Sequence, residues 1–405
     1  MQRAAKARVG GARVTALLFG LALAAAIGGV LWTRMKPTPA PVELRESKPI
    51  SGEKLAARRG ELADPALVFA PDRQRLVLSP ELALEISPLE VPEQEYDPQC
   101  YLRHKANLDN TVPWPEHPKK RWHMRTNSLG LREDRELAPT FDGLRVLCTG
   151  DSHTDGVCEN SESWPHQLEA RLKTAHPDRA IEVINSGKGC YGFYHYRGVL
   201  ERLAHFAPEL FVVGVYGGND FLETTRPWYY FAGAERPRLD AEDWKRINAA
   251  KRFDGPGLAQ IWTSAYYFQR YPDEQHVALS AALALSADIA GAAGARGMRV
   301  LFVYIPSRAE VAPDAEFARS KETLDALGLA RADLDTAGRL TDRYLQGLAS
   351  LGIPVVDLRE RFRREPRPPY WDSDLHIDLA GHAAIAEVLE PWLGPWLEPP
   401  VSGAR

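Results

Sequence analysis

Five short apolar runs constrain this chain more than any other feature: Arg145–Thr149 (RVLCT), Ile181–Asn185 (IEVIN), Leu210–Tyr216 (LFVVGVY), Val300–Ile305 (VLFVYI) and Ile353–Leu358 (IPVVDL). Each is too short for a core helix, rich in Val, Ile or Leu, and free of apolar/polar alternation. That is the pattern of a strand covered on both faces. Between and after them come helical stretches, Trp164–Ala175, Tyr196–Ala207, His276–Ala295, Asp335–Leu351 and Leu379–Leu393. Strands alternating with helices predict a doubly wound α/β fold with a five-stranded parallel sheet. Such a sheet places its sites in the loops at the carboxyl ends of its strands.

Four of those loops are polar or glycine-bearing. The first strand runs into Gly150-Asp151-Ser152-His153-Thr154, the second into Asn185-Ser186-Gly187-Lys188-Gly189-Cys190-Tyr191-Gly192, and the third into Gly217-Gly218-Asn219-Asp220. The fifth is followed, after a proline-rich loop, by Asp372-Ser373-Asp374-Leu375-His376-Ile377-Asp378. An acyl-transfer site needs a nucleophile, a base, an acid to orient the base, and donors for the oxyanion. Ser152 supplies the hydroxyl and His376 the imidazole. Asp374, two residues earlier, would project to the same side of an extended loop and reach the other ring nitrogen. The backbone N–H groups of Ser152 and Gly187, with the Asn219 side-chain amide, would form the oxyanion hole.

Each residue also has a plainer reading. Gly-Asp-Ser suits any tight turn or helix N-cap, and His376 suits a surface loop. Asp151 and Asp220 read as acceptors for backbone N–H groups at loop and helix starts. His382 reads as a helix packing residue and His153 as the nucleophile's neighbour. His376, His382, Asp374 and Asp378 lack a metal-ligand spacing, so the sequence implies no metal and no cofactor.

The order of the blocks resembles the GDSL/SGNH hydrolases, a superfamily of esterases and acetyltransferases. The family's Ser in a Gly-Asp-Ser block, its Gly, its Asn and its His fall on Ser152, Gly187, Asn219 and His376. Arg125-Thr126-Asn127-Ser128-Leu129-Gly130-Leu131-Arg132, and Ile305-Pro306-Ser307, are similar to envelope-associated members. The resemblance spans about Met124 to Leu393. It implies a flavodoxin-like, three-layer α/β/α fold and a serine mechanism of ester hydrolysis or O-acyl transfer. The family usually places its Asp three residues before the His, where this chain has Ser373. Some members of exopolysaccharide O-acetylation systems use Asp-x-His, which Asp374-Leu375-His376 resembles. Asp374 therefore takes the orienting role, with Asp372 as the alternative.

The uncharged run from Val14 to Trp32 is long enough to cross a hydrocarbon core of ~30 Å. Arg3, Lys6, Arg8 and Arg13 precede it with no acidic residue, which by the positive-inside rule leaves residues 1–13 in the cytoplasm and the rest outside. Ala24-Ala25-Ala26 offers a cleavage site, but the apolar run continues through Ile27, Val30, Leu31 and Trp32, favouring an uncleaved anchor. Residues 33–95, rich in Pro and charge, read as a stalk with a few irregular strands. Residues 96–398 read as the catalytic domain, opened by a cap over Tyr101–Arg135 with little regular structure. An aromatic insertion over 221–273 reads as packing first and as a lid or substrate groove second. Cys148 lies in an apolar stretch and reads as a buried free thiol.

A net charge of −4, with no basic stripe beyond Lys119-Lys120-Arg121, excludes a nucleic-acid partner. The expected partners are an acylated glycan or other ester substrate, the membrane, and envelope polysaccharide machinery. The alternatives are a lipid esterase or thioesterase with an apolar acyl channel in the insertion, and a silent module that binds polysaccharide or an assembly partner.

Overall fold

The computed structural model describes residues 78–89, 91–254, 259–312 and 321–397. The sequence-predicted cytoplasmic tail, anchor and most of the stalk lie outside the described residues.

The first described element is helix α1 (Pro80–Ile86), with Ser79 as N-cap and Pro80 at its first position, where a missing N–H costs nothing. Two antiparallel hairpins follow, β1 (Gln94–Asp97) with β2 (Tyr101–His104), and β3 (Asp109–Pro113) with β4 (Arg121–Arg125). The α/β part then runs β5 (Leu144–Thr149), α2 (Ser152–Asp155), α3 (Trp164–Ala175), β6 (Ile181–Asn185), α4 (Phe193–Leu203), β7 (Leu210–Tyr216) and α5 (Asp220–Phe231). It continues through α6 (Ala241–Asp254), α7 (Ala259–Arg270), α8 (Glu274–Gly294), β8 (Arg299–Ile305), α9 (Arg308–Val311), α10 (Lys321–Leu327) and α11 (Arg331–Ser350). β9 (Val355–Asp357), α12 (Arg359–Arg363) and α13 (Leu379–Leu397) complete it.

β5 to β9 form one five-stranded sheet in the order β6-β5-β7-β8-β9, with every pairing parallel. This is the doubly wound, flavodoxin-like order: the chain steps outward from β5 to β6, then returns to the other side of β5 with β7. The crevice between the ends of β5 and β7 is the switch point where such sheets bind ligands. Alternate strand residues serve opposite faces, as the pleat requires. Leu147, Phe211, Val213 and Phe302 join one core with α4, α5, α8 and α11. Val146, Cys148, Val212 and Leu301 join the other with α3 and α13. Three layers result.

The expected strands match in position, and β9 is the exception in length. Its ladder covers only Val355–Asp357, because Pro354 has no N–H to donate and contributes its carbonyl alone, to Phe302 N–H. α4 begins at Phe193, three residues before the expected start, because the His195 ring accepts the Gly192 N–H (3.0 Å) and extends the first turn backward.

Two expectations about the N-terminal part need correcting. Tyr101–Arg135, predicted to hold little regular structure, carries β2 and the whole β3–β4 hairpin. Within the predicted stalk, residues 80–86 form helix α1 rather than irregular strand, and Leu78, Ala83 and Ile86 are buried in the same core as β2 and α4. Burial of that apolar surface ties these residues to the domain.

The aromatic insertion folds into α5, α6 and α7. Trp228, Tyr229, Trp262, Tyr266, Tyr267 and Phe268 are buried, so most of its aromatics pack. Its helices help build a third core around Ile247, Ile261, Trp262 and Tyr266, which also receives Leu375. Among the described residues, α8 alone is long and apolar enough to cross a membrane. It is packed in the domain, with Val277, Ala278, Ala281, Ala282, Leu285 and Ile289 inside the first core. Cys100, Cys148 and Cys158 are buried free thiols.

Candidate active site

β5 ends at Thr149, and Asp151 turns the chain into α2. The Asp151 carboxylate accepts the His153 N–H (2.9 Å), serving as the N-cap of that one-turn helix. Ser152 is thereby the first residue of α2 and half-buried. Among the described residues nothing accepts the Ser152 N–H. Asp151 itself is fully buried, and burial pushes its carboxyl up from the ordinary value against the opposing bond from His153 N–H.

His376 arrives from the far end of the chain. Its Nε2 lies 2.7 Å from Ser152 Oγ and its Nδ1 lies 2.6 Å from Asp374 Oδ2. A ring that donates Nδ1–H to Asp374 leaves Nε2 to accept the Ser152 hydroxyl. The His376 N–H also donates to Asp374 Oδ1 (3.1 Å), so one carboxylate fixes both the ring and its backbone. Burial disfavours the charged ring, but the bond and the charge of Asp374, with the more distant Asp151 and Asp155, outweigh it and raise the His376 pKa above its ordinary value. That environment stabilises the imidazolium formed when the ring takes a proton.

The loop that does this is not extended, as the sequence reading supposed. Trp371 to Leu375 close a single helical turn, with Leu375 N–H donating to Trp371 O (3.2 Å), and Leu375 then takes a left-handed φ of 61°. Asp372, the alternative acid, is carried away from the ring: it is exposed and pairs with Arg308 (3.0 Å). Ile377 is held on the other side, its N–H donating to His153 Nδ1 (3.3 Å), while the His153 ring stacks on Tyr216 at 3.6 Å.

The expected oxyanion donors fare unequally. Asn219 stands at the N-cap position of α5 and its side chain makes no capping bond. Among the described residues its Oδ1 is buried without a hydrogen-bond partner. The Gly187 N–H donates to Asn185 Oδ1 (3.0 Å), and a Cβ there would lie 2.5 Å from Asp155 N and 2.7 Å from the Thr154 carbonyl carbon. Gly187 is required by the close packing of this loop on α2, and to serve an oxyanion its N–H would have to leave Asn185.

The plainer readings hold for the surrounding residues. Asp220 accepts the Tyr216 N–H (2.8 Å) and the Tyr196 hydroxyl (2.7 Å). His382 is buried on α13, accepts the Trp164 N–H (3.2 Å) and is pushed down to about 3 by burial.

The sequence reading missed the buttress behind Ser152. Asp155, at the end of α2, accepts from His104 Nε2 (2.9 Å), Arg132 Nη1 (2.9 Å) and Gly189 N–H (3.1 Å). Burial would push the Asp155 carboxyl up, but His104 and Arg132 reverse this and hold it far below the usual carboxylate range. Arg132 is itself fully buried and also donates to Asn160 Oδ1 and to the carbonyls of Asp155, Gly156 and Cys158. One guanidinium therefore fixes the whole loop after Ser152. The Arg125–Arg132 motif was visible in the sequence, but nothing local in it points to Asp155.

Fold and site together define a hydrolase of the doubly wound α/β class, with a Ser-His-Asp arrangement at its switch point. Residues 148–384 match the model of the GDSL-like Lipase/Acylhydrolase family, and the chain belongs to that family as a serine ester hydrolase of SGNH type. Among solved structures it is similar to LAE5, an α/β hydrolase from the metagenome of Lake Arreo, Spain, at 16% identity and a TM-score of 0.36, covering 64% of this chain and 97% of that one. It is also similar to a catalytic mutant of the acetylxylan esterase Axe2 from Geobacillus stearothermophilus, at 14% identity and a TM-score of 0.38, covering 64% and 98%. A third is the carbohydrate acetylesterase Est24 from Sinorhizobium meliloti, at 15% identity and a TM-score of 0.35, covering 62% and 99%. No curated protein sequence matches the chain.

Proposed function

We propose that Ser152, His376 and Asp374 are the catalytic residues, and that the enzyme cleaves or transfers a short acyl group, acetyl above all, on a cell-envelope or exported polysaccharide. The observation that carries the catalytic assignment is the Ser152 Oγ to His376 Nε2 distance of 2.7 Å, with Asp374 at 2.6 Å on the opposite ring nitrogen. Ser152 Oγ attacks the ester carbonyl while His376 Nε2 takes its proton. Negative charge gathers on the carbonyl oxygen, facing the Ser152 N–H and the Asn219 amide. Collapse of the intermediate breaks the ester C–O bond, and His376 returns the proton to the leaving sugar oxygen. The acyl group is then held on Ser152. Water attacking it completes hydrolysis, and a second sugar hydroxyl attacking it completes transfer; His376 accepts the proton from either and returns it to Ser152.

The short-acyl reading is supported by the packing of the insertion. The aromatics that would line an acyl channel are buried, and the cavity beside the Gly217-Gly218 turn, lined by Phe221, Leu222, Ile261 and Phe268 among others, has about 20 Å³. That is room for about one water molecule. The polysaccharide reading rests on the sequence resemblance and on the apolar run Val14–Trp32, which would hold the domain on the outer side of a membrane.

A fluorophosphonate probe should label Ser152 and leave a Ser152→Ala variant unlabelled. Acetylated glycans should be turned over in preference to medium-chain esters. Absence of labelling in the folded enzyme would make the protein a silent binding module, and preference for medium chains would make it a lipid esterase.

A further inference from the structure

The turn that carries Asp374 and His376 is a single turn of helix standing alone. The first N–H groups of any helical turn have no partner within it, and in a free loop they would be left to water. Here the Asp372 and Ser373 N–H groups donate to Glu116 Oε2 (2.6 Å) and Oε1 (2.9 Å). Both oxygens of one carboxylate are used on adjacent backbone donors, a charge-assisted pair of bonds stronger than neutral ones. The residues that normally cap a turn precede it in sequence. This one comes from more than two hundred residues earlier.

Glu116 is not a mobile surface acid that happens to reach the loop. It sits at the tip of the β3–β4 hairpin, where Trp114 N–H donates to Lys120 O (3.0 Å) and Lys120 N–H to His117 O (2.7 Å). Its neighbour His117 is fully buried, bonds Glu162 (3.0 Å) and packs its ring against Trp371 at 6.3 Å. The tip is thus fastened on one side to the segment that follows Ser152 and on the other to the start of the His376 turn. Leu375 anchors the opposite end of the same turn in the third core.

We propose that Glu116 is a positioning residue for the reaction: it caps, from the hairpin, the turn that aims His376 Nε2 at Ser152. This rests on the assignment of Ser152, His376 and Asp374 made above. Without the cap, the Asp372 and Ser373 N–H groups lose their partner and the start of the turn is held less tightly, while Leu375 still anchors its other end. The Asp374–His376 pair then spends less time in line with the hydroxyl. Misplacement of a catalytic group by about 1 Å costs on the order of 100-fold in rate.

The test is steady-state kinetics of Glu116→Ala and Glu116→Gln on a chromogenic acetyl ester across pH, with thermal melts and with Ser152→Ala alongside. Glu116→Ala should lower kcat by roughly 10- to 100-fold with KM within about twofold. The acid limb of its kcat/KM profile should move to lower pH, because a looser Asp374 raises the His376 pKa less. Glu116→Gln keeps one acceptor oxygen and should fall between Ala and wild type. A merely structural role would lower the melting temperature and leave the limb where it is. The proposal is overturned if Glu116→Ala, or Glu116→Gln where Ala fails to fold, retains wild-type kcat and limb while Ser152→Ala is inactive. An active Ser152→Ala would instead overturn the catalytic assignment itself.

Discussion

Asp374 and His376 bond each other across a single residue, and they do so because Leu375 between them is left-handed. With φ at 61° the backbone doubles back, so Asp374 Oδ2 meets His376 Nδ1 at 2.6 Å while Asp374 Oδ1 takes the His376 N–H. A non-glycine residue in this region is held there at a cost of about 1–3 kcal/mol. The burial of Leu375 among Ile261, Trp262 and Tyr266 offsets that cost. Asp374→Asn should then lower kcat by up to ~10⁴-fold by favouring the wrong tautomer, and Asp372→Asn should change it by less than about threefold, since Asp372 only pairs with Arg308 at the surface. Steady-state rates of the two variants decide it; the reverse ranking would return the orienting role to Asp372.

The sheet was legible because its strands are buried on both faces and announce themselves as unbroken apolar runs. The loops at their ends were legible because chemistry concentrates where the strands stop, and the structure brings Ser152, Asp374 and His376 from those loops within hydrogen-bond distance. Backbone geometry was not. The same Asp-x-His spacing serves an extended loop or a left-handed kink, and only the packing of Leu375 selects the second. Gly187 makes a related point: a glycine marks close approach, but the sequence does not say whether its N–H faces a substrate or Asn185. Arg132, His104 and Glu116 act on residues far away in the chain, so no local pattern exposes their partners.

Ser152→Ala and His376→Ala should each reduce ester cleavage by several powers of ten. Both side chains are only half-buried at the mouth of the switch point, so neither deletion opens a core cavity. Thermal melts should stay within a few degrees of wild type. A loss of activity below about tenfold in either variant, with folding intact, would remove that residue from the mechanism.

The pH dependence follows from the same contacts. His376 must be neutral to accept the Ser152 proton, and Asp374 raises its pKa above the ordinary 6.5 against the effect of burial. The rate should therefore climb with pH through an acid limb lying above that value and level off beyond it. Asp374→Asn removes the carboxylate charge and should move the limb downward. A wild-type limb below 6.5 would contradict the environment described for the ring.

Asn219→Ala should be milder than loss of the nucleophile. An oxyanion site that keeps the Ser152 N–H loses one donor, worth ~2.7–4 kcal/mol or about two to three powers of ten in kcat. KM should hardly move, because the donor acts on charge that develops only in the transition state. A raised KM with unchanged kcat would make Asn219 a ground-state contact.

Gly187→Ala separates packing from chemistry. The added methyl would stand 2.5 Å from Asp155 N and 2.7 Å from the Thr154 carbonyl carbon. These are backbone atoms of α2 that cannot swing aside as the end of a flexible side chain would. Asp155 is further pinned by His104 and Arg132, so the strain must move either α2 or the whole β6 loop. Overpacking of this kind costs about 1–3 kcal/mol, and a melt should show it as a clear fall in stability. Because α2 begins with Ser152, kcat should fall in the same variant. Alanine keeps the backbone N–H, so the variant probes the packing and leaves the donor itself in place. Loss of stability together with activity is the outcome that the close approach of Gly187 to Asp155 N and the Thr154 carbonyl carbon requires, and wild-type stability would show that α2 and the β6 loop can part without cost.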